Sequence, residues 1–230
     1  MKHPAHITLE NMNQALWYNR WTMNKFKQFI HGDILEVGCG IGNFTPSLAS
    51  FGSVWAMDID NICIEETNKR VGTRTRVGFG DIEKGTYFFS KKQFDTIVCL
   101  NVLEHIEDDN QALSNIFRLL APEGHLILLV PIHEGLYGSI DRAIRHFRRY
   151  DKQTLTKLLK KKKFHIVSDR KLNFLGAIGW WVAGKLGSTT VGDLQIKLFN
   201  LIAPVVLPLE NVAEPPIGTS VLVVARKPSP

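Results

Sequence analysis

The sequence predicts an α/β fold, a single mostly parallel sheet with helices on both faces, and three observations predict it. Short apolar runs alternate with helix-period segments along most of the chain, joined by short connections. Several of these runs hold consecutive apolar residues, such as 97–100 and 126–130, rather than apolar residues at alternate positions, as expected of strands buried on both sides. The chain has 230 residues, 44% of them hydrophobic and 22% charged, which suits one sizeable core plus an insertion better than two domains. We therefore read 1–230 as one domain with an N-terminal helical cap at 1–31 and an apolar helical insertion at 173–216.

Residues 13–31 carry Leu16, Trp17, Trp21, Phe26, Phe29 and Ile30 at roughly helical spacing, closed by Gly32. The apolar run 34–37 is the first strand and leads into a glycine loop. The segment FTPSLAS opens a helix, with Thr45 as the expected N-cap and Pro46 at the first helical position. SVWAMDID is a second strand, NICIEETNKR a helix, TRVGFGDI a third strand and FDTIVCL a fourth. Ala112, Leu113, Ile116, Leu119 and Leu120 mark the core face of the next helix, which is expected to end at Pro122-Glu123-Gly124. HLILLVP is then a fifth strand stopped by Pro131. A helix KQTLTKLLKKK, a strand FHIVSDRKL and a last strand TSVLVVARK follow, giving seven strands. The 173–216 stretch is too long and too apolar for a plain loop.

The run ILEVGCGIGNF places Gly38, Gly40 and Gly42 at alternate positions behind a strand that carries one acid, Glu36. Strand, glycine loop and helix N-terminus together form a nucleotide-binding pattern, and an acid about twenty residues on, here Asp58, suits a ribose hydroxyl. Glu36 narrows the ligand. Two unit charges about 4 Å apart interact by ~4 kcal/mol at an effective dielectric of 20, a repulsion beside a pyrophosphate and an attraction beside a cation. The third glycine of the dinucleotide fingerprint is also replaced, by Asn43. An adenosyl ligand with a positive charge and no phosphate fits, and S-adenosylmethionine is such a ligand.

The series ILEVGCGIGNF, VWAMDID, GDIE, FDTIVCLNVLEHIEDD and LLAPEGHLILLVP, in that order, resembles the class I S-adenosylmethionine-dependent methyltransferases over about 33–131. The resemblance implies a Rossmann-like seven-stranded sheet with an antiparallel last strand. It implies that Glu36, Gly38, Gly40 and Gly42 line the methionine moiety, that Asp58 binds the ribose and that Ile59 packs on the adenine. Asp81 would take the adenine amino group, with the Ile82 backbone adjacent, and Asn101 and Val102 would pass beneath the sulfonium. Asp60, Asp108 and Asp109 read as helix caps and Cys39 as packing.

Methyl transfer from a sulfonium is an in-line displacement, so alignment and exclusion of water are the protein's main contribution. A base helps only where the acceptor carries a proton. His105 follows the methyl-proximal strand end and is one candidate base, His146 the other; a structural histidine is the alternative reading of His105. The segment PIHEGLYGSIDRAIRHFRRYD after the fifth strand gathers His133, Tyr137, Asp141, His146, Arg148, Arg149 and Tyr150 at the carboxyl end of the sheet. Arginines there suit an anionic acceptor, or else pair with acids such as Asp141 or Asp151. Tyr18, with Trp17 and Trp21, would close the leader helix over the pocket. The insertion reads as a lid for an apolar acceptor, a dimer interface or a helix pair packed on the core.

The expected acceptor is a small or lipid-like molecule, methylated at oxygen or carbon. An RNA or protein acceptor, or a binding module without chemistry, are the alternatives. Net charge is +6, but no basic–aromatic RNA module accompanies it. Lysines 160–163 read as a solvated helix face. Trp180, Trp181 and Lys185 suit a peripheral membrane pose. Three scattered cysteines offer no metal-ligand spacing and no disulfide framework, no metal is expected, and a cytoplasmic setting fits. Residues 1–14 do not read as a signal peptide.

Overall fold

The computed structural model describes residues 15–185, 187–190 and 192–229. Eight strands form one sheet: β1 Gly32–Val37, β2 Gly52–Asp58, β3 Thr75–Asp81, β4 Thr86–Tyr87, β5 Phe94–Leu100, β6 Leu120–Pro131, β7 His165–Leu172 and β8 Ser220–Arg226. Their spatial order is β4-β3-β2-β1-β5-β6-β8-β7. The seven strands expected from the sequence are all present; the eighth is the two-residue edge strand β4, antiparallel to β3. β3, β2, β1, β5 and β6 pair in parallel, whereas β8 runs antiparallel to both β6 and β7.

The continuous apolar runs explain why both faces are covered. Along β1, Leu35 and Val37 enter one core cluster while Ile34 enters the other; β8 divides likewise, with Val221, Val223 and Ala225 against Leu222 and Val224. The first face is covered by α4 (Asp109–Leu119) and α6 (Lys152–Lys161), through Leu113, Ile116, Leu155 and Leu159. The opposite face is covered by α1 (Leu16–Phe26), α2 (Thr45–Leu48) and α8 (Asp193–Val206), through Tyr18, Trp21, Phe26, Leu48 and Ala203. α3 (Asn61–Asn68), α5 (Ser139–Ala143) and α7 (Phe174–Lys185) complete the helices that concern the site.

Local signals account for most element ends. Asp60, Asp108 and Asp151 cap α3, α4 and α6 by accepting N–H bonds from the first turn. Lys160, Lys161 and Lys163 are exposed beyond the buried Leu155–Leu159 face of α6, where the basic last turn complements the helix dipole. Three boundaries differ from expectation. The leader helix stops at Phe26 and ends in a 3-10 turn, Lys27–Phe29. Thr45 lies inside α2 rather than capping it, because its hydroxyl is bonded elsewhere, as described below. α4 ends at Leu119, and β6 begins at once: Leu120 pairs with Phe94, then Pro-Glu-Gly bulges out, with Glu123 at φ +64°, before His125 pairs with Thr96. Within 173–216 the described residues form α7, α8 and a 3-10 helix, Leu207–Asn211. Of the 1–31 cap, residues 1–14 lie outside the described residues.

Candidate active site

Chain order reverses between β1 and β5, whose carboxyl ends therefore flank the crevice where an open parallel sheet binds ligands. Glu36 emerges there on the same face as Ile34 and is buried. The Thr45 hydroxyl donates to Glu36 Oε2 at 2.6 Å. Burial pushes the Glu36 carboxyl up to about 8, against the Thr45 hydrogen bond and with some help from Asp58.

The glycine loop follows from backbone requirements. Gly38, Gly40 and Gly42 all have positive φ. A Cβ on Gly38 would lie 2.4 Å from Val102 Cγ2, so only glycine lets the loop meet the end of β5. The loop amides are already engaged: Gly38 and Cys39 N–H donate to Met57 O, Gly40 N–H to Asp58 Oδ2 at 2.8 Å, and Gly42 N–H to Cys39 O. These four amides are not free to cradle a phosphate, and the chemistry of Glu36 with Asp58 fits an adenosyl ligand carrying an ammonium group. Asp58 also accepts from Asp60 N–H, and burial holds its carboxyl above the usual range despite both bonds. Ile59, beside it, is 67% exposed, an apolar surface at the rim.

At the end of β3, Asp81 accepts the Lys84 N–H and lies 3.2 Å from its ammonium, while the Ile82 carbonyl accepts from Asn115. Asn101 sits at the tip of β5 with φ +54°, unusual for a residue other than glycine, and donates its N–H to Leu129 O. The structure thus brings Glu36, the three glycines, Asp58, Ile59, Asp81, Ile82, Asn101 and Val102 to the carboxyl ends of four adjacent strands.

The far side of the crevice is built around Asp141. Its carboxylate accepts from His146 Nδ1 (2.9 Å), Arg149 Nε (2.8 Å), Gly138 N–H (3.0 Å) and Trp180 Nε1 (3.1 Å). Burial alone would raise Asp141; the His146 and Arg149 contacts prevail and hold it down at about 2. The Arg149 guanidinium also reaches Ile132 O and lies 4.9 Å from the Trp180 ring. His105, in the 3-10 turn Leu103–His105, packs its ring 4.5 Å from that of His146, edge to face. His105 remains exposed, and surrounding protein first, His146 second, holds it below the ordinary imidazole value.

The residues expected to touch an acceptor are held by the protein instead. Arg149 and Tyr150 are buried. Tyr150 reaches Leu103 O and Asp109 Oδ2, and burial raises its phenol far above the usual range. Arg148 pairs with Asp109 at 2.9 Å and donates to Glu107 O. The arginine–acid pairing weighed from the sequence is therefore the one present, with Asp109 where Asp151 was named; Asp151 caps α6. Asp109 accordingly binds Arg148 and Tyr150 rather than capping α4. Tyr137 donates to His146 O. Tyr18 is buried between Trp21 and Phe199, and its hydroxyl accepts from Asn173. The aromatic face of α1 thus packs on α8 and the sheet.

Glu104 escaped the sequence reading, and Trp180 was read there only as part of a membrane-facing surface. Trp180 closes the Asp141 cluster, and Glu104, one place before His105, is fully buried at its centre. A groove of about 330 Å³ opens between Tyr137, Arg142, Trp180 and Trp181. A larger depression near Lys160 and His165 lies at the opposite edge of the sheet, where β7 begins, away from these groups.

A family described as a methyltransferase domain matches residues 15–169. Juvenile hormone acid O-methyltransferase of Bombyx mori is 30% identical over 134 residues, 55% of this chain and 48% of that protein. Ubiquinone biosynthesis O-methyltransferase of Schizosaccharomyces pombe is 31% identical over 102 residues, 41% of this chain and 36% of that one. The chain spans about half the length, or less, of these curated relatives. Among solved structures, the N-methyltransferase NodS of Bradyrhizobium japonicum, in complex with S-adenosyl-L-homocysteine, aligns with TM-score 0.60 and 18% identity, covering 92% of this chain and 86% of that one. Phosphoethanolamine N-methyltransferase 2 of Haemonchus contortus, with S-adenosyl-L-methionine, gives 0.62 and 18%, covering 92% and 52%. At those identities the likeness is one of fold.

Proposed function

This chain belongs to the methyltransferase-domain family, and on that premise we propose that it methylates a small or amphipathic acceptor at oxygen or carbon, using S-adenosylmethionine. The observation that carries this reading is the buried Glu36 beside a glycine loop whose amides are already bonded, with Asp58 at the neighbouring strand end. When bound, S-adenosylmethionine supplies a methyl group already activated on a sulfonium. Glu36 neutralises the ammonium, Asp58 takes the ribose hydroxyls, Ile59 packs on the adenine, and Asp81 with the Ile82 backbone holds its edge. Asn101 and Val102 set the floor on which the methyl group and acceptor align.

On the acceptor side, His105 is the exposed imidazole nearest that floor, and its lowered pKa keeps it neutral and able to accept a proton at pH 7. His146, fixed by Asp141, orients it by ring contact. The groove beside Trp180 and Trp181 would receive the acceptor's apolar part. Leu194, Leu198, Leu201 and Val205 form an exposed stripe on the outer side of α8, which suits contact with a lipid surface. Among the described residues no helix is long and apolar enough to cross a membrane, so that contact would be peripheral.

A screen with labelled donor against phenolic, carboxylic and lipid-linked acceptors, with RNA and protein as competitors, tests the reading. Transfer to a small acceptor, lowered at least tenfold in turnover by His105→Ala with donor affinity kept, is the expected result. Transfer to RNA or protein alone would replace it with the alternative, and equal loss of turnover and donor affinity would remove His105 as the base.

A further inference from the structure

Glu104 is the buried group that this chemistry leaves without a task. It is fully buried, and among the described residues neither carboxylate oxygen has a hydrogen-bond partner; its own backbone N–H approaches without hydrogen-bond geometry. Unmade hydrogen bonds at a buried carboxyl are costly, and their persistence at a crevice calls for a ligand. Two imidazoles stand beside it. His146 Nε2 lies 3.8 Å from Glu104 Oε1, too far for a hydrogen bond, and one ligand atom from each of Glu104, His105 and His146 falls within 4.8 Å of the others.

We propose that Glu104, His105 and His146 bind a divalent transition-metal cation, of the zinc or cobalt kind, at the acceptor side of the crevice. Two features of the geometry point there besides the orphaned carboxylate. Asp141 accepts the Nδ1 proton of His146, which fixes the tautomer whose Nε2 lone pair faces Glu104; such carboxylate–histidine pairs orient metal ligands. Bonds of ~2.0–2.2 Å at tetrahedral angles set ligand atoms roughly 3.3 Å apart. The His146–Glu104 pair needs a small inward shift to match, and the exposed His105, on a single 3-10 turn, can swing the rest. One carboxylate with two imidazoles favours borderline divalent metals over magnesium or calcium, which prefer oxygen. The nearby Arg149 charge is balanced by Asp141. Three protein ligands leave a fourth position open on the exposed His105 side, for water or for an acceptor oxygen; His105 serves as base only while the site is empty, since the cation takes up its lone pair. No local spacing marks the site, because Glu104 and His146 lie on separate segments of the chain.

Cobalt titration of the chelator-stripped full chain tests the site without any methyl donor. The expected result is visible ligand-field absorption saturating at one equivalent, displaced by Zn²⁺ but not by excess Mg²⁺. His105→Asn, at an exposed position, and Glu104→Gln should each weaken cobalt affinity at least tenfold, while Glu107→Gln, an exposed acid nearby, leaves it unchanged. Absence of the absorption, or equal affinity in all three variants, overturns the proposal. Calorimetry with S-adenosylhomocysteine, run with and without cation, tests the donor site separately, so loss of the metal site and loss of the methyltransferase reading are distinguishable.

Discussion

The two sides of the crevice are built on different rules. On the donor side, Glu36, the glycines, Asp58 and Asn101 occupy strand ends and turns whose geometry is local: positive φ at three alternate glycines, a left-handed Asn101, an acid as the last residue of β2. On the acceptor side, the conspicuous polar residues are held by partners remote in sequence. Arg148 and Tyr150 meet Asp109, Trp180 meets Asp141, and Tyr150 meets Leu103. The expectation is that altering Asp58 costs donor binding with little loss of fold, whereas altering Asp141 costs the fold itself.

The sharpest way to break this contrast is Asp141→Ala. It leaves Arg149 buried without its carboxylate and is expected to lower unfolding free energy by about 3–5 kcal/mol in urea titration. A loss under about 1 kcal/mol would mean the cluster is not structural. The same residue predicts a pH signature. Its folded value of about 2 lies below the ordinary 3.8, so its contribution is complete above that range and is lost as pH falls through it. Asp141→Asn should remove that part of the acid transition.

Next in size, Asp58→Ala should weaken S-adenosylhomocysteine binding by ~100-fold, roughly 3 kcal/mol, with the circular dichroism spectrum unchanged. Unfolding instead would erase the contrast from the donor side. Glu36 gives a smaller, graded effect. Because its carboxyl is raised from 4.5 to about 8, binding a cationic donor requires it to lose its proton, and affinity should rise up to about tenfold per pH unit towards that value. In the unliganded fold the sign is opposite, stability falling as pH climbs through the same interval. Glu36→Gln should flatten the binding profile in calorimetry. The smallest effect belongs to Arg148→Ala: its pair with Asp109 is partly exposed, so it should cost under about 1 kcal/mol and shrink in high salt.

How much could be read beforehand follows the same division. Strand runs, caps and the glycine loop are signals within a few residues, which is why seven strands and the Asp60 and Asp108 caps could be placed, and Glu36 and Asp58 located at neighbouring strand ends. Thr45 was misread because its cap signal competes with the Glu36 carboxylate, a contact that exists only once β1 and α2 pack. Leu120 was misread because pairing with Phe94 overrides the helix pattern. Glu104 and Trp180 carried no periodicity or motif of their own; their importance arises where three separate segments converge.

Trp180 belongs to α7, in the apolar hairpin, yet its indole N–H is one of the donors that saturate Asp141, the same carboxylate that steers His146. A displacement of the hairpin thus withdraws a donor from that oxygen and leaves the imidazole's tether altered. Outer greasy surface and inner ring therefore share a single carboxylate, one oxygen meeting the indole and the other the imidazole.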